Sequence, residues 1–253
     1  TRKESSAASD VYKRQLYCGF TLVRKNNERC SAKRANVLGS ERFSRLRSKL
    51  RWHESLAEEW EMELPAATVE FCKRAEGWAK QRRPQTRSLW AKPGDGVDFL
   101  NVPQHLVDTA CAASLIFNSW VSQPIKDFLS GELQISEPEL EGLYLWLAGC
   151  HDLGKVLKTF QRQILTREGL EHLVNAVDDA GLATELSVDE ANFSKLPHSI
   201  VSGEILSLWL EGQGVRRPKA NAVAGVVNAH HGIATGPNPS VRNLVEDYPA
   251  EWR

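Results

Sequence analysis

The stretch Gly149-Cys150-His151-Asp152-Leu153-Gly154-Lys155 is the part of this sequence from which the fold and the chemistry are best predicted. A histidine followed directly by an aspartate supplies two common metal ligands, and the lysine beyond them is a residue type that binds phosphate groups. Gly154 allows the chain to turn after the pair. Taken alone, a buried His-Asp pair is more typical of a structural core than of a metal site. The other histidines decide between these two interpretations.

A helix is predicted to lead into this stretch. Ser136 and Glu139 have the spacing of a capping box, and Pro138 suits the first helical turn. The residues that follow repeat at helical spacing on one side of the helix: Leu140, Leu143, Leu147 and His151. This stripe is apolar until it reaches the histidine, so we expect the imidazole to lie at the buried end of a core helix.

The composition is that of an ordinary globular protein without overall charge. Of 253 residues, 42% are hydrophobic and 25% charged, and 32 lysines and arginines balance 32 acidic residues. No chain-wide basic field therefore indicates nucleic-acid binding, which would have to be local. The five cysteines form no C-x-x-C pair, which is typical of free thiols in a reducing compartment. No apolar run is long enough to span a membrane, and we expect no membrane contact and a cytoplasmic location.

Helical patterns dominate the chain from about residue 54 onwards, and the sequence predicts an all-α fold with no alternating strand and no internal repeat. Residues 84–98 are expected to form a loop, because proline and glycine interrupt them. Residues 1 to about 50 are rich in Arg, Lys and Ser. Their basic cluster is more typical of a solvated segment than of a DNA contact: Arg42, Arg45, Arg47 and Arg51. We therefore separate residues 1–80, a basic and helical extension of uncertain order, from a helical domain, residues 81–253.

Five of the seven histidines lie in the first turn or at the end of a predicted helix, on faces that are otherwise apolar: His105, His151, His198, His230 and His231. Asp152 adds an oxygen ligand that can bridge two ions. Imidazole and carboxylate together suit Mn²⁺, Fe²⁺, Ni²⁺ or Zn²⁺ and accommodate Mg²⁺. Two such ions about 4 Å apart can activate a water and stabilise a phosphoryl displacement. His53 and His172 have charged neighbours and are predicted to lie on the surface.

Four segments in order carry a resemblance to a known family. His151-Asp152-Leu153-Gly154-Lys155, with Thr159-Phe160-Gln161 after it, resembles the core of the HD superfamily, and specifically the HD nuclease domain of CRISPR-associated Cas3 proteins. Three more segments resemble that family's other motifs: Leu89-Trp90-Ala91-Lys92 with His105-Leu106-Val107-Asp108-Thr109-Ala110, Pro197-His198-Ser199, and Asn228-Ala229-His230-His231-Gly232. The resemblance covers about residues 89–235 and is more specific than the HD motif alone.

The resemblance implies an HD-domain helical bundle, residues 81–253, with a two-metal centre in its core. His105, His151 and Asp152 would hold one ion, while His198, His230 and His231 would hold the second with Asp152 bridging. It further implies that Lys155 contacts a phosphate or the attacking water, although a structural ion pair is an equally good interpretation of this lysine. The implied cofactors are two divalent ions, Mn, Fe, Ni or Mg.

The implied activity is cleavage of single-stranded DNA in CRISPR type I interference, with a Cascade-like effector complex as partner. The sequence contains no G-x-x-x-x-G-K-[ST] loop, so the helicase motor that accompanies this domain would act in cis on a longer chain or in trans. The family also has an aspartate ligand well downstream of the paired histidines. Asp247 is too close to His231 for that role, and we expect the ligand to lie beyond Arg253.

Two other functions remain open at this point. The first is an HD phosphohydrolase acting on nucleotides or small phosphate esters, and the second is an interaction domain with an incomplete metal centre. A nuclease needs an open groove with basic and aromatic flanks, whereas a nucleotidase needs a closed pocket. The basic residues proposed as such flanks are Arg162, Arg167, Arg216, Arg217 and Lys219.

The paired histidines add a geometric expectation. Neighbouring side chains on a helix point about 100° apart, so both can reach one ion only where the helix ends. Gly232 marks such an end. We therefore expect the imidazoles of His230 and His231 both to face the cavity that holds His151.

Overall fold

The structure, a computed structural model, describes residues 64–94, 99–193, 196–233 and 235–248. The chain divides into two compact units, 1–70 and 71–253, and only residues 64–70 of the first are described. Three features discussed from the sequence lie outside the described residues. They are the first part of the helix expected from residue 54, His53, and the basic cluster of Arg42, Arg45, Arg47 and Arg51. The proposed division at residue 80 stays a prediction.

The fold is all-α, as predicted. The helices are α1 (Ala66–Lys80), α2 (Pro84–Ser88), α3 (Val102–Ser119), α4 (Gln123–Leu133), α5 (Glu137–Cys150), α6 (Lys158–Arg162), α7 (Glu171–Asp179), α8 (Val188–Ala191), α9 (His198–Gly212), α10 (Arg217–Asn228) and α11 (Pro239–Glu246). Short 3-10 helices cover Leu153–Val156, Gln163–Thr166 and Ala229–His231. No helix among the described residues is long and apolar enough to cross a membrane.

Two helix pairs form the framework of the unit from residue 71. α3 packs on α5, and α9 packs on α10, on α11 and on the 3-10 helix Leu153–Val156. One buried cluster fills the space between α9 and α10 with Leu206, Ala224 and Val227, and Trp146 and Leu147 of α5 pack against it. The end of α5 therefore meets the other pair in the core.

The start of α5 forms as the sequence predicts. Ser136 and Glu139 make the capping box, with the Ser136 backbone N–H donating to Glu139 Oε2 at 2.8 Å. The helix ends at Cys150, and His151 follows as its C-terminal cap. The apolar stripe thus delivers His151 and Asp152 to the centre of the molecule.

The expectation of a loop over residues 84–98 without any strand is wrong. Its described part, residues 84–94, contains α2 and the strand β1 (Trp90–Pro93), which pairs antiparallel with β2 (Phe99–Asn101), with Trp90 opposite Asn101. The strands have four and three residues, too few for an alternating pattern to be seen in the sequence. Contacts from elsewhere hold them. Buried Gln161 accepts from the Trp90 backbone N–H at 3.1 Å and donates to the Trp90 carbonyl at 3.0 Å.

Gly154 serves a purpose different from the one expected. It lies within a 3-10 helix without a positive φ, so the backbone does not require glycine there. A Cβ atom at this position would lie 2.1 Å from the His198 carbonyl oxygen and 2.8 Å from Val201 Cβ. The backbone N–H of Gly154 also donates to Ser202 Oγ at 2.8 Å. The missing side chain therefore lets the segment that carries Asp152 pack directly on the start of α9.

We predict that Gly154→Ala destabilises the protein by about 3 kcal/mol or more, because the added methyl group meets backbone atoms that cannot move aside independently. Gly142→Ala is the matched control, since a Cβ at that α5 position meets nothing within 4 Å. In a helix this control should stabilise the protein by about 0.5–1 kcal/mol. Urea unfolding measures both, and equal stability of the two variants would contradict the close-packing explanation.

Candidate metal centre

Asp152 is the centre of the site and is only 3% exposed. Its Oδ2 lies 2.7 Å from His105 Nε2, 3.0 Å from His151 Nε2 and 2.8 Å from Lys155 Nζ. Its Oδ1 faces the other way and lies 3.0 Å from His198 Nε2 and 3.2 Å from His230 Nε2. Each carboxylate oxygen therefore faces a different pair of histidines.

The histidines reach Asp152 because each lies at a helix end. His105 is in the first turn of α3, which Asn101 caps by accepting from the Gln104 backbone N–H at 2.9 Å. His198 is the first residue of α9. His230 lies in the 3-10 helix that follows α10 and ends at Gly232, whose φ is 87°.

His231 is placed differently from His230. Its side chain is exposed, yet its Nε2 lies 3.0 Å from His198 Nε2. The partial burial of the ring lowers the pKa of the His231 imidazole, and the neighbouring imidazoles of His230 and His198 lower it further. The expectation that both paired histidines face the cavity therefore holds fully for His230, whereas His231 lies at its rim and turns its ring nitrogen inward.

Two groups among the described residues have ligand atoms close enough together to hold an ion. One consists of His105, His151 and Asp152, and the other of His198, His230 and His231. Asp152 Oδ1 extends the second group. Two ligand atoms bound at right angles to one ion, each at about 2.1 Å, are about 3.0 Å apart, and the distances around Asp152 have this size.

The hydrogen bonds of two imidazoles show why a cation fits this place. His151 Nδ1 lies 2.9 Å from the Ala148 carbonyl oxygen, and His230 Nδ1 lies 2.8 Å from the Val227 carbonyl oxygen. A carbonyl oxygen only accepts, so both Nδ1 atoms carry a proton and each ring turns its Nε2 towards Asp152. Asp152 Oδ1 and His230 Nε2 are buried without a hydrogen-bond partner, despite their short separation. A divalent ion would satisfy both atoms.

The protonation states agree with metal binding. Burial alone would raise the pKa of Asp152, but contacts with four imidazoles outweigh burial and hold this pKa well below its usual range. Burial lowers the pKa of His105 to about 4, so this imidazole is neutral at physiological pH. Burial raises the pKa of Cys150 to about 11, so the thiol next to His151 stays protonated and is a poor ligand.

Lys155 lies inside the protein and is 7% exposed. Besides Asp152 Oδ2, its ammonium group donates to the Ala91 carbonyl oxygen of β1 at 3.3 Å. In this arrangement the lysine balances the buried carboxylate and links the centre to the sheet. A contact with a phosphate or with water stays a prediction.

The other residues that the sequence suggested lie apart from the centre. Arg162 is half-buried beside Thr184, at 3.4 Å. Arg216, Arg217 and Lys219 do not flank the centre, because they lie at the opposite end of α10 from His230, about 15 Å or more away along the helix axis. Asp247 is exposed and belongs to neither group of ligands among the described residues. His172 was expected on the surface but is half-buried in α7, also outside both groups.

Two residues near the centre were not assigned roles from the sequence. Gln161 is fully buried and holds β1, and Ser202 positions Gly154. The sequence marks each of them only as a polar residue at a position expected in the core. It does not show which group the residue would hydrogen-bond.

Comparison with known proteins gives two matches. The family model described as "Cas3, HD domain" matches residues 78–252. The CRISPR-associated nuclease/helicase Cas3 of Streptococcus thermophilus is 29% identical over 181 residues, which are 69% of this chain and 18% of that relative. The chain thus spans less than a fifth of the relative's length. No solved structure matches.

We predict that Asp152→Asn weakens divalent-metal binding at least about 100-fold, because the change removes the negative charge that both histidine groups face. The fold should persist at lower stability, since the amide has the shape of the carboxylate but leaves the buried Lys155 ammonium group without its negative partner. Calorimetric titration with Mn²⁺ measures the affinity, and circular dichroism tests the fold. Glu246→Gln, a change at an exposed carboxylate, is the control and should bind Mn²⁺ as the unchanged chain does. Unaltered Mn²⁺ binding by Asp152→Asn would contradict the assignment.

Proposed function

Because this chain belongs to the Cas3 HD-domain family, we propose that it is a metal-dependent nuclease that hydrolyses phosphodiester bonds of single-stranded DNA in CRISPR type I interference. The observation that carries the proposal is the position of Asp152, whose two oxygens face separate groups of imidazoles. A hydrolase of this class needs such a shared carboxylate to hold two ions close together.

In this proposal His105, His151 and Asp152 would hold one divalent ion. His198, His230 and His231 would hold the other together with Asp152. Bound there, two ions would supply an activated water and stabilise the charge that develops on a phosphodiester. The protein orients the imidazoles, His151 and His230 through backbone carbonyls, so that each Nε2 faces Asp152. Mn, Fe, Ni and Mg all suit this mixture of nitrogen and oxygen ligands.

We propose that the main role of Lys155 is to position Asp152. Its ammonium group fixes Asp152 Oδ2 from the side of β1, and it is buried between the carboxylate and Ala91. A direct contact with the scissile phosphate would require Nζ to leave one of these partners. The lysine therefore acts on the reaction through the carboxylate.

The shape of the neighbouring surface favours a polymeric substrate over a free nucleotide. A cavity of about 570 Å³ reaches His198, and exposed Arg167 and Pro197 are among its lining residues. An opening of this kind admits a strand that continues on either side of the reacting phosphate, whereas a nucleotidase encloses its substrate.

The printed name of the Streptococcus thermophilus relative combines nuclease and helicase, and this chain covers 18% of it. We propose that a helicase motor, in cis or in trans, supplies the unwound strand, and that a CRISPR effector complex recruits both to DNA. A separate strand suits a centre recessed among helix ends better than a duplex does.

With Mn²⁺ or Ni²⁺ the protein should cut single-stranded DNA at least about tenfold faster than the duplex of the same sequence, because the recessed centre excludes paired bases. Gel analysis of labelled oligonucleotides measures the rates, and Asp152→Asn is the inactive control. Turnover of free nucleotides without cleavage of either DNA would favour the phosphohydrolase. Metal binding without any hydrolysis would favour an interaction domain.

The two ion sites should differ in affinity. Asp152 Oδ1 is buried without a hydrogen-bond partner, whereas Oδ2 already has Lys155 at 2.8 Å, and an ammonium group beside a ligand repels a cation. We expect the ion of His198, His230 and His231 to bind more tightly. In Mn²⁺ titrations His198→Gln should remove the tighter step, and the paired variant His105→Gln should leave it in place. Two equally tight steps in the unchanged chain would contradict this order.

A further inference from the structure

Short contacts hold the aromatic residues that line the cavity beside the centre. Trp90 of β1 and Phe160 of α6 form part of its lining, with ring centroids 4.6 Å apart. Gln161 fixes Trp90 at three points, because its carbonyl also accepts from Trp90 Nε1 at 2.9 Å. These contacts hold the aromatic wall in one arrangement before any ligand arrives.

The cavity is continuous with the centre. His198 lines it and lies 3.0 Å from Asp152 Oδ1 through Nε2. The edge of the Phe160 ring packs on the His198 ring, with centroids 5.5 Å apart. A group bound in the cavity therefore lies next to whatever reacts at the centre.

The chemistry of the lining points to one kind of ligand. Its volume of about 570 Å³ falls in the range typical of sites for small organic groups. Most of the lining residues are apolar, among them Trp90, Phe160 and Ile164, each of which is less than a tenth exposed. No acidic residue occurs among the described residues that line the cavity. Arg167 is exposed and supplies a positive charge at the rim. A flat apolar group attached to an anion satisfies both features.

We propose that this cavity binds an unpaired base of the DNA strand, in the nucleotide adjoining the scissile phosphate, while Arg167 binds the next backbone phosphate. The proposal rests on the proposed nuclease function and makes it more specific. A base within a duplex cannot enter the cavity, because its pairing partner would have to enter with it. Preference for single strands thus follows from the shape of this cavity as well as from the depth at which the centre lies.

The first experiment tests the base site without hydrolysis. Affinity is measured in EDTA, by fluorescence anisotropy, for labelled oligo(dT) and for an abasic oligomer of equal length. The unchanged chain should bind oligo(dT) about tenfold more tightly, the size expected for one base on an aromatic surface. Thr166→Trp places a large side chain at an exposed lining position and should remove this difference. Unfolding and Mn²⁺ titration check that the variant and its centre are intact.

The second experiment tests Arg167 through the salt dependence of binding. Each phosphate contact on a single strand contributes about −0.7 to the slope of log affinity against log salt concentration. Arg167→Ala should therefore make the slope shallower by about 0.7. Arg217→Ala, at the exposed start of α10, is the matched control and should leave it unchanged.

The outcomes separate this proposal from the nuclease function. Equal affinity for oligo(dT) and the abasic oligomer, or equal slopes for Arg167→Ala and Arg217→Ala, overturns the base site even if DNA is cut. Base-dependent binding that Thr166→Trp removes, in a protein that cuts no DNA, supports the base site and overturns the nuclease assignment. If Thr166→Trp fails to fold, the comparison of abasic and normal strands with the unchanged chain and the Arg167 slope decide the matter.

Discussion

The contact between one buried carboxylate and four imidazoles is the constraint on which the rest of this structure depends. Removing a carboxylate from water is costly unless opposite charge surrounds it. Asp152 meets this cost with ring nitrogens from α3, α5, α9 and the end of α10, and with the ammonium group of Lys155. Those elements must therefore converge on one point, and the packing of α3 on α5 and of α9 on α10 brings them there.

The same convergence joins the centre to the side of the molecule that carries the cavity. Lys155 connects Asp152 to Ala91 of β1, and Gln161 connects β1 to α6. The short two-stranded sheet of this otherwise helical protein is thus held at two points, Ala91 by Lys155 and Trp90 by Gln161. Its position also sets one wall of the cavity next to His198.

Much of the site could be predicted from local sequence. The capping box at Ser136, the stripe that ends at His151 and the glycine after His231 are all features of neighbouring residues, and each has the expected form. The gathering of His105, His151 and His198 around Asp152 agrees with the resemblance between motifs.

Features that depend on contacts distant in sequence could not be predicted in this way. The need for glycine at 154 arises from the His198 carbonyl, and the strand at Trp90 is held by Gln161. Arg217 was predicted to flank the groove, because the sequence does not show that the length of α10 separates it from His230. The exposed rim position of His231 likewise depends on how its short 3-10 helix turns, which no residue pattern states.

The meeting of helix ends has a consequence for the electric field at the centre. α5 and α10 point their C-terminal ends there, where carbonyl groups carry partial negative charge, and α3 and α9 point their N-terminal ends there, where amide groups carry partial positive charge. The macrodipoles of one pair attract cations, and those of the other attract anions. The backbone alone therefore gives this place partial charges of both signs, before any side chain is counted.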